Sequence, residues 1–310
     1  MSTLVEVLRT ELPHRLTTHP EIRVRIPRGE PLASRSTGEL PAERVTEIDG
    51  PATALLSAAT PSSEEGSHSL VIAPASYLLP DGYPTLRSPI SRDRLPITVL
   101  ALESGLFEPL PPSGPASLED LGALRAFPHL ALVVPPDPGS LKAVLTEASS
   151  WDGPVYLRLN GGDLPELSDR PFAIGRAREL HPGSDLTIAS AGPLIGMALE
   201  AAQELARVGI EARVLDLSSV KPFDEKAVLR AARDTGAILT VEDHSSLTGL
   251  GALVAATTSE NYPVPVRRIG VPDLFLRPEA SGTVLARYGL GPSSILDEAW
   301  ELLRQRGKVD

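Results

Sequence analysis

The chain has 310 residues, 42% of them hydrophobic and 22% charged, with a formal net charge of −11 and no cysteine. That length supports two domains with their own cores. The absence of thiols excludes disulfides, thiolate metal sites and cysteine nucleophiles, and the acidic surplus argues against a nucleic-acid partner, whose phosphates need cations. The histidines at 14, 19, 68, 129, 181 and 244 lie at no metal-ligand spacing, so no protein-built metal site is expected.

The start, "MSTLVEVLRTELPHRL", mixes acids with apolar residues and reads as an amphipathic helix rather than a signal peptide. No apolar run approaches the roughly 18 residues that cross a bilayer, so a cytoplasmic protein is expected. Strands are expected at 21–26, 69–75, 96–103, 130–135 and 154–159, and helices at 50–59, 117–126 and 139–150. Proline clusters in the 80s, at 108–115 and at 133–140 read as loops or strand ends. Within this half, "RVTEIDGPATALLSAAT" (44–60) places Glu47 and Asp49 where a short strand turns through Gly-Pro into an alanine-rich helix. Such an acid is either a helix cap or a proton handle.

The stretch 161–185 combines glycine, proline and charge with little periodicity and reads as a linker. Beyond it, strand and helix alternate cleanly. Strand 185–192 leads into a helix at 193–209, with Pro193 in its first turn and Gly209 at its end. Strand 210–220, helix 224–236, strand 237–244, helix 249–262 and strand 264–273 follow. The strand runs are almost continuously apolar, as in parallel sheets covered on both faces. The expected fold is two tandem three-layer α/β domains, 1–165 and 185–310, joined by a linker at 166–184.

A dinucleotide fold fits this pattern poorly. The segment "AGPLIG" after the strand at 185–190 is not G-x-G-x-x-G, Asp216 sits in a different pattern from the usual ribose-binding acid, and no P-loop occurs. Other signatures are more specific. Lys221-Pro222-Phe223-Asp224, Glu242-Asp243-His244, Gly249-Leu250-Gly251 and Arg268-Ile269-Gly270-Val271-Pro272-Asp273 together resemble the C-terminal domain of transketolases. Upstream, 117–159 resembles the end of that family's pyrimidine-binding domain.

The resemblance implies a thiamin-diphosphate-binding (pyrimidine) fold followed by a transketolase C-terminal domain-like fold. The family's G-D-G metal motif is missing, so the chain resembles the C-terminal subunit of a split transketolase. By the same resemblance, an N-terminal subunit would hold the diphosphate through Mg2+ in an α2β2 heterotetramer. This chain would face the aminopyrimidine of thiamine diphosphate, and a two-carbon ketol unit would pass between sugar or sugar-like substrates.

In the family a glutamate at the strand-to-helix corner bonds the aminopyrimidine. Asp49 stands at that place here, with Glu47 in reserve, and Asp49 as a plain helix cap is the competing reading. Tyr77 is the candidate for packing on the pyrimidine. Ala116-Ser117 and Asn160-Gly161 stand where the family has a substrate-binding His-Gln and a phosphate-binding Gly-Arg. These departures imply either an atypical substrate or a non-catalytic structural subunit that stabilises its partner. A synthase of the deoxyxylulose-phosphate type is a further alternative. His244 is expected to be an interface residue rather than a catalytic one, and the second domain a scaffold.

Overall fold

The computed structural model describes residues 2–38, 40–64, 67–106, 117–161, 163–167, 170–276 and 281–307. The chain opens with β1 (Ser2–Thr3), α1 (Leu4–Thr18), β2 (Arg23–Pro27), α2 (Pro31–Thr37), β3 (Val45–Ile48) and α3 (Ala52–Glu64). Then come β4 (Ser69–Pro74), α4 (Ala75–Thr85), β5 (Ile97–Leu102), α5 (Asp120–Leu124), β6 (Ala131–Val133), α6 (Pro138–Ala148) and β7 (Val155–Arg158). The second part holds β8 (Asp163–Leu164), β9 (Arg178–His181), β10 (Leu186–Ser190), α7 (Leu194–Arg207), β11 (Ala212–Asp216) and β12 (Ser219–Lys221). It ends with α8 (Glu225–Thr235), β13 (Ile238–Ser245), α9 (Leu250–Asn261), β14 (Val266–Val271), α10 (Ser281–Arg287) and α11 (Pro292–Gln305).

Two large sheets organise these elements, beside a two-stranded β1-β8 sheet. The first has the order β12-β6-β7-β5-β4-β2-β3, with β2 to β7 parallel and β12 antiparallel on β6. The second has the order β14-β13-β10-β11-β9, parallel except for β9. Side chains along β4 alternate between faces: Leu70 and Ile72 pack with α1 and α6, while Val71 and Ala73 pack with α3 and α4. The second sheet is covered by α7 and α11 on one face and by α8 and α9 on the other. Two three-layer α/β units result, and they share a core. Leu121, Leu124 and Phe127 of the first unit belong to one apolar cluster with Leu217, Val228 and Leu250 of the second.

Local chemistry explains several boundaries. Thr3 and Glu6 form a capping box on α1, with Glu6 N donating to Thr3 Oγ1 (3.1 Å) and Thr3 N to Glu6 Oε2 (2.9 Å). Asp224 Oδ1 accepts from Ala227 N (3.0 Å) to start α8, and Gly236 ends it in the left-handed region at φ 68°. Among the described residues, no helix is long and apolar enough to cross a membrane.

The structure departs from the sequence-based expectation at three places. The proline-rich 80s are helical rather than looped: α4 carries Pro80 and Pro84. Its buried Leu78, Gly82 and Thr85 are one reason, since packing can outweigh the cost of proline; Gly82 sits so close to α3 that an added Cβ would lie 2.8 Å from Leu56. The segment 161–185 is more than a linker, because it contributes β8 and the edge strand β9. The strand expected at 210–220 divides, and its last part, β12, crosses to the first sheet. The proline cluster at 108–115 and Ala116 lie outside the described residues.

Candidate functional site at the first switch point

In open parallel sheets, ligands lie beyond the carboxyl ends of two neighbouring strands whose following connections run in opposite directions. In the first sheet the chain leaves β2 toward β3 and leaves β4 toward β5, on the other side. The switch point therefore lies at the ends of β2 and β4. Arg28 follows β2, Ala75-Ser76-Tyr77 follow β4, and Asp49-Gly50 follow the adjacent β3.

Arg28 Nε bonds Asp49 Oδ1 at 2.8 Å, and its Nη1 lies 3.6 Å from Glu47 Oε2. The Arg28 amide also donates to the Ile48 carbonyl (3.0 Å), so backbone and side chain both tie β2 to the end of β3. Tyr77 Oη donates to the Gly50 carbonyl at 2.7 Å, and burial followed by nearby Asp81 pushes its hydroxyl pKa up. Gly50 has φ 105°, a conformation that favours glycine. The α3 amides of Ala54 and Leu55 turn to the Pro51 carbonyl, at 2.9 and 3.3 Å, while the Asp49 carboxylate goes to Arg28.

The structure thus brings Glu47, Asp49 and Tyr77 to one corner, with Arg28 as the residue that sequence reasoning missed. The signal for Arg28 was faint: a cation between a strand and a glycine. The Asp49 side chain is 74% exposed and that of Glu47 44%. An ion pair this exposed contributes about 0–1 kcal/mol, so a ligand donor can take over the carboxylate at little cost.

The second sheet has its own switch point, between β10 and β13. There β13 presents Glu242, Asp243 and His244, all buried. Arg158 enters from the first domain: its Nη1 bonds Asp243 Oδ1 (2.8 Å) and its Nε bonds Asp120 Oδ2 (3.0 Å). Burial opposes the charge on Arg158, but the carboxylates of Asp120 and Asp243 outweigh it and keep it protonated. Burial in turn pushes both carboxyls up, against the pull of Arg158.

Glu242 accepts from Leu250 N (2.6 Å) and Gly251 N (3.0 Å) at the start of α9, and burial raises it to about 7. His244 lies with Nδ1 3.8 Å from Glu242 and Nε2 3.6 Å from Asp120. Loss of hydration and the cations Arg158 and Arg125 lower it to about 3. Asn160, at the place of the family's Gly-Arg, donates to Asp243 Oδ2 (2.5 Å) inside this seam. Ser117 lends its carbonyl to Arg158 Nη2 (3.5 Å). His244 therefore lies between the two units, beside Asp120 of the first and Glu242 of the second.

Two tandem parallel α/β units, one with an exposed polar corner at its switch point and one with that place filled by residues of the other unit, define a doubly wound α/β protein of two units. Residues 175–295 match the family model "Transketolase, C-terminal domain". The chain is 35% identical over 246 residues to one of the subunits of the apulose-4-phosphate transketolase of Phocaeicola vulgatus, covering 78% of each chain. It is 38% identical over 192 residues to a 6-deoxy-6-sulfo-D-fructose transketolase subunit of a Clostridium species, covering 61% of this chain and 60% of the relative. A solved split-gene transketolase, described as an inactive beta4 tetramer, superimposes with a TM-score of 0.88 at 30% identity, covering 97% of this chain and 98% of that one. The chain belongs to the transketolase family, and within it resembles the C-terminal subunits of two-chain transketolases, transferases that act as complexes.

Proposed function

We propose that this subunit, with an N-terminal partner, completes a thiamine diphosphate site and that the complex transfers a two-carbon ketol unit between sugar or sugar-like molecules. The convergence of Asp49, Tyr77 and Arg28 on the first switch point carries this reading. The corner fits the aminopyrimidine of the cofactor: a carboxylate that can accept a hydrogen bond stands beside an aromatic side chain. Asp49 would hold the ring, with Glu47 next in reach, Tyr77 would back it, and Arg28 would fix the carboxylate's orientation.

Bound thiamine diphosphate supplies the electron sink for carbon–carbon cleavage and formation. The chain's own part is to orient the cofactor, with the Asp49 carboxylate as hydrogen-bond acceptor at its ring. By the family resemblance, Mg2+ and the diphosphate are assigned to the partner. The exposed Leu247, Leu274 and Phe275 offer an apolar surface of the kind that subunits cover, in keeping with an α2β2 heterotetramer. The reading also divides the chain into a pyrimidine-binding domain to residue 165 and a C-terminal domain from 185, and places the complex in the cytoplasm.

A second reading, a structural subunit that stabilises its partner, draws on the same corner, where Arg28 already engages both acids. Calorimetry with thiamine diphosphate and magnesium separates the two. It is run on this chain, on the partner, on the mixture, and on the mixture carrying Asp49→Ala. Tight binding only in the mixture, weakened by Asp49→Ala, supports the catalytic reading. Mixture binding that ignores the substitution removes Asp49 from the cofactor site and points to Glu47 or the partner, and no binding in any sample supports the structural reading.

A further inference from the structure

The carboxyl end of β13 lies where an open α/β sheet takes its ligand, yet its occupant is protein. Asp243 holds Arg158 with Oδ1 and Asn160 with Oδ2, and both partners come from the end of β7 in the first domain. Arg158 Nη2 also reaches the Asp243 carbonyl at 3.2 Å. The fit is close. A Cβ on Gly105 would lie 2.0 Å from Asp243 Oδ2 and 2.5 Å from Asn160 Nδ2, so only glycine passes there, at φ 81°.

The same ion pair reaches the chain where it leaves β5 and where it enters α5. Leu106 N donates to Asp243 Oδ2 (3.4 Å), and Ser117 offers its carbonyl to Arg158 Nη2 (3.5 Å). Ser245 N, two residues past Asp243, donates to the Leu118 carbonyl (3.0 Å). Arg158 meanwhile holds Asp120 at the first residue of α5. The carboxyl ends of β5 and β7 belong to the same sheet edge as the proposed cofactor corner.

We infer that Asp243 is a positioning residue: the second domain uses its ligand edge as a socket for Arg158, and through it sets the catalytic edge of the first sheet. The catalytic part of this inference rests on the thiamine diphosphate reading above. The positional part does not.

Asp243→Asn removes the charge and keeps the shape. Hydrogen exchange by mass spectrometry on the chain alone reads the peptides covering 97–106 and 117–121. These should exchange on the order of tenfold faster in the variant, while the peptide over 194–207, helix α7 of the second unit, keeps its wild-type rate. In the complex with the N-terminal subunit, kcat should fall on the order of a hundredfold, while KM for the ketose donor stays within about twofold. A general stabilising role would not produce that split. Asn160→Ala serves as a milder variant, with faster exchange expected at 97–106 alone.

Unchanged exchange at 97–106 and 117–121 in Asp243→Asn, or equal loosening throughout the chain, overturns the inference. If the wild-type complex shows no thiamine-dependent transfer, the functional reading fails, and the exchange pattern alone decides the role of Asp243.

Discussion

Arg28 holds the Asp49 carboxylate through one exposed ion pair and reaches Glu47 through a longer one, so its removal should loosen the corner without loosening the fold. In Arg28→Ala, thermal stability should stay within about 1 kcal/mol of wild type, while thiamine diphosphate affinity of the complex falls severalfold; a melting curve and a calorimetric titration read the two. Glu242 and His244 make a prediction of another kind, because they titrate in opposite senses. Glu242 moves from 4.5 to about 7 on folding and takes up a proton between those values, so its stabilisation is full below 4.5 and lost as pH rises through 7. His244 moves from 6.5 to about 3 and gives a proton up, so its contribution is lost as pH falls below 6.5. Between pH 4.5 and 6.5 the two cancel. Glu242→Gln ends the cancellation: relative to wild type, the variant should lose about 1.4 kcal/mol per pH unit on acidification from pH 6.5. Urea denaturation of both proteins at pH 5 and 7 checks it, and parallel pH profiles would refute it.

At the scale of elements, most helices and strands have local causes and a few do not. Asp224 is a local cause twice over, since Oδ1 caps α8 and Oδ2 accepts from Ala177 N (3.1 Å), just before β9. Asp224→Ala should cost about 1–2 kcal/mol by denaturant unfolding, at the upper part of the range for N-caps because a second amide loses its acceptor. Helix α4 is the opposite case. Its prolines speak against helix, and it forms against α3 through Leu78 and Gly82. Gly82→Ala should therefore destabilise the protein despite alanine's higher helix propensity, by about 1–3 kcal/mol, as overpacking does.

At the scale of the molecule, the two α/β units are joined by a shared apolar core, by the pairing of β12 with β6, and by buried charges, among them the network around Arg158. The network has an asymmetric cost. Replacing Arg158 by methionine leaves Asp120 and Asp243 buried without their cation, a loss of about 3–5 kcal/mol in denaturant unfolding at neutral pH. The deficit should shrink on acidification, as the two raised carboxyls take up protons in the variant. A deficit independent of pH would mean that lost packing, and not uncompensated charge, is the cause.

The sequence by itself determined the alternation of strands and helices, the helix end at Gly209, and the turn that carries Glu47 and Asp49. These are readable because periodicity, capping and turn chemistry act over a few residues. It ranked the acids at 47 and 49 above the signature at 242–244 only through the family resemblance. Only the tertiary structure decided that the corner at Asp49 stays open while the cluster at Glu242–His244 is filled. Arg158 and Asp243 are 85 residues apart, and their contact depends on how two sheets face each other across a shared core. Such a contact leaves no trace in local sequence, because either residue alone is compatible with a solvent-facing strand end.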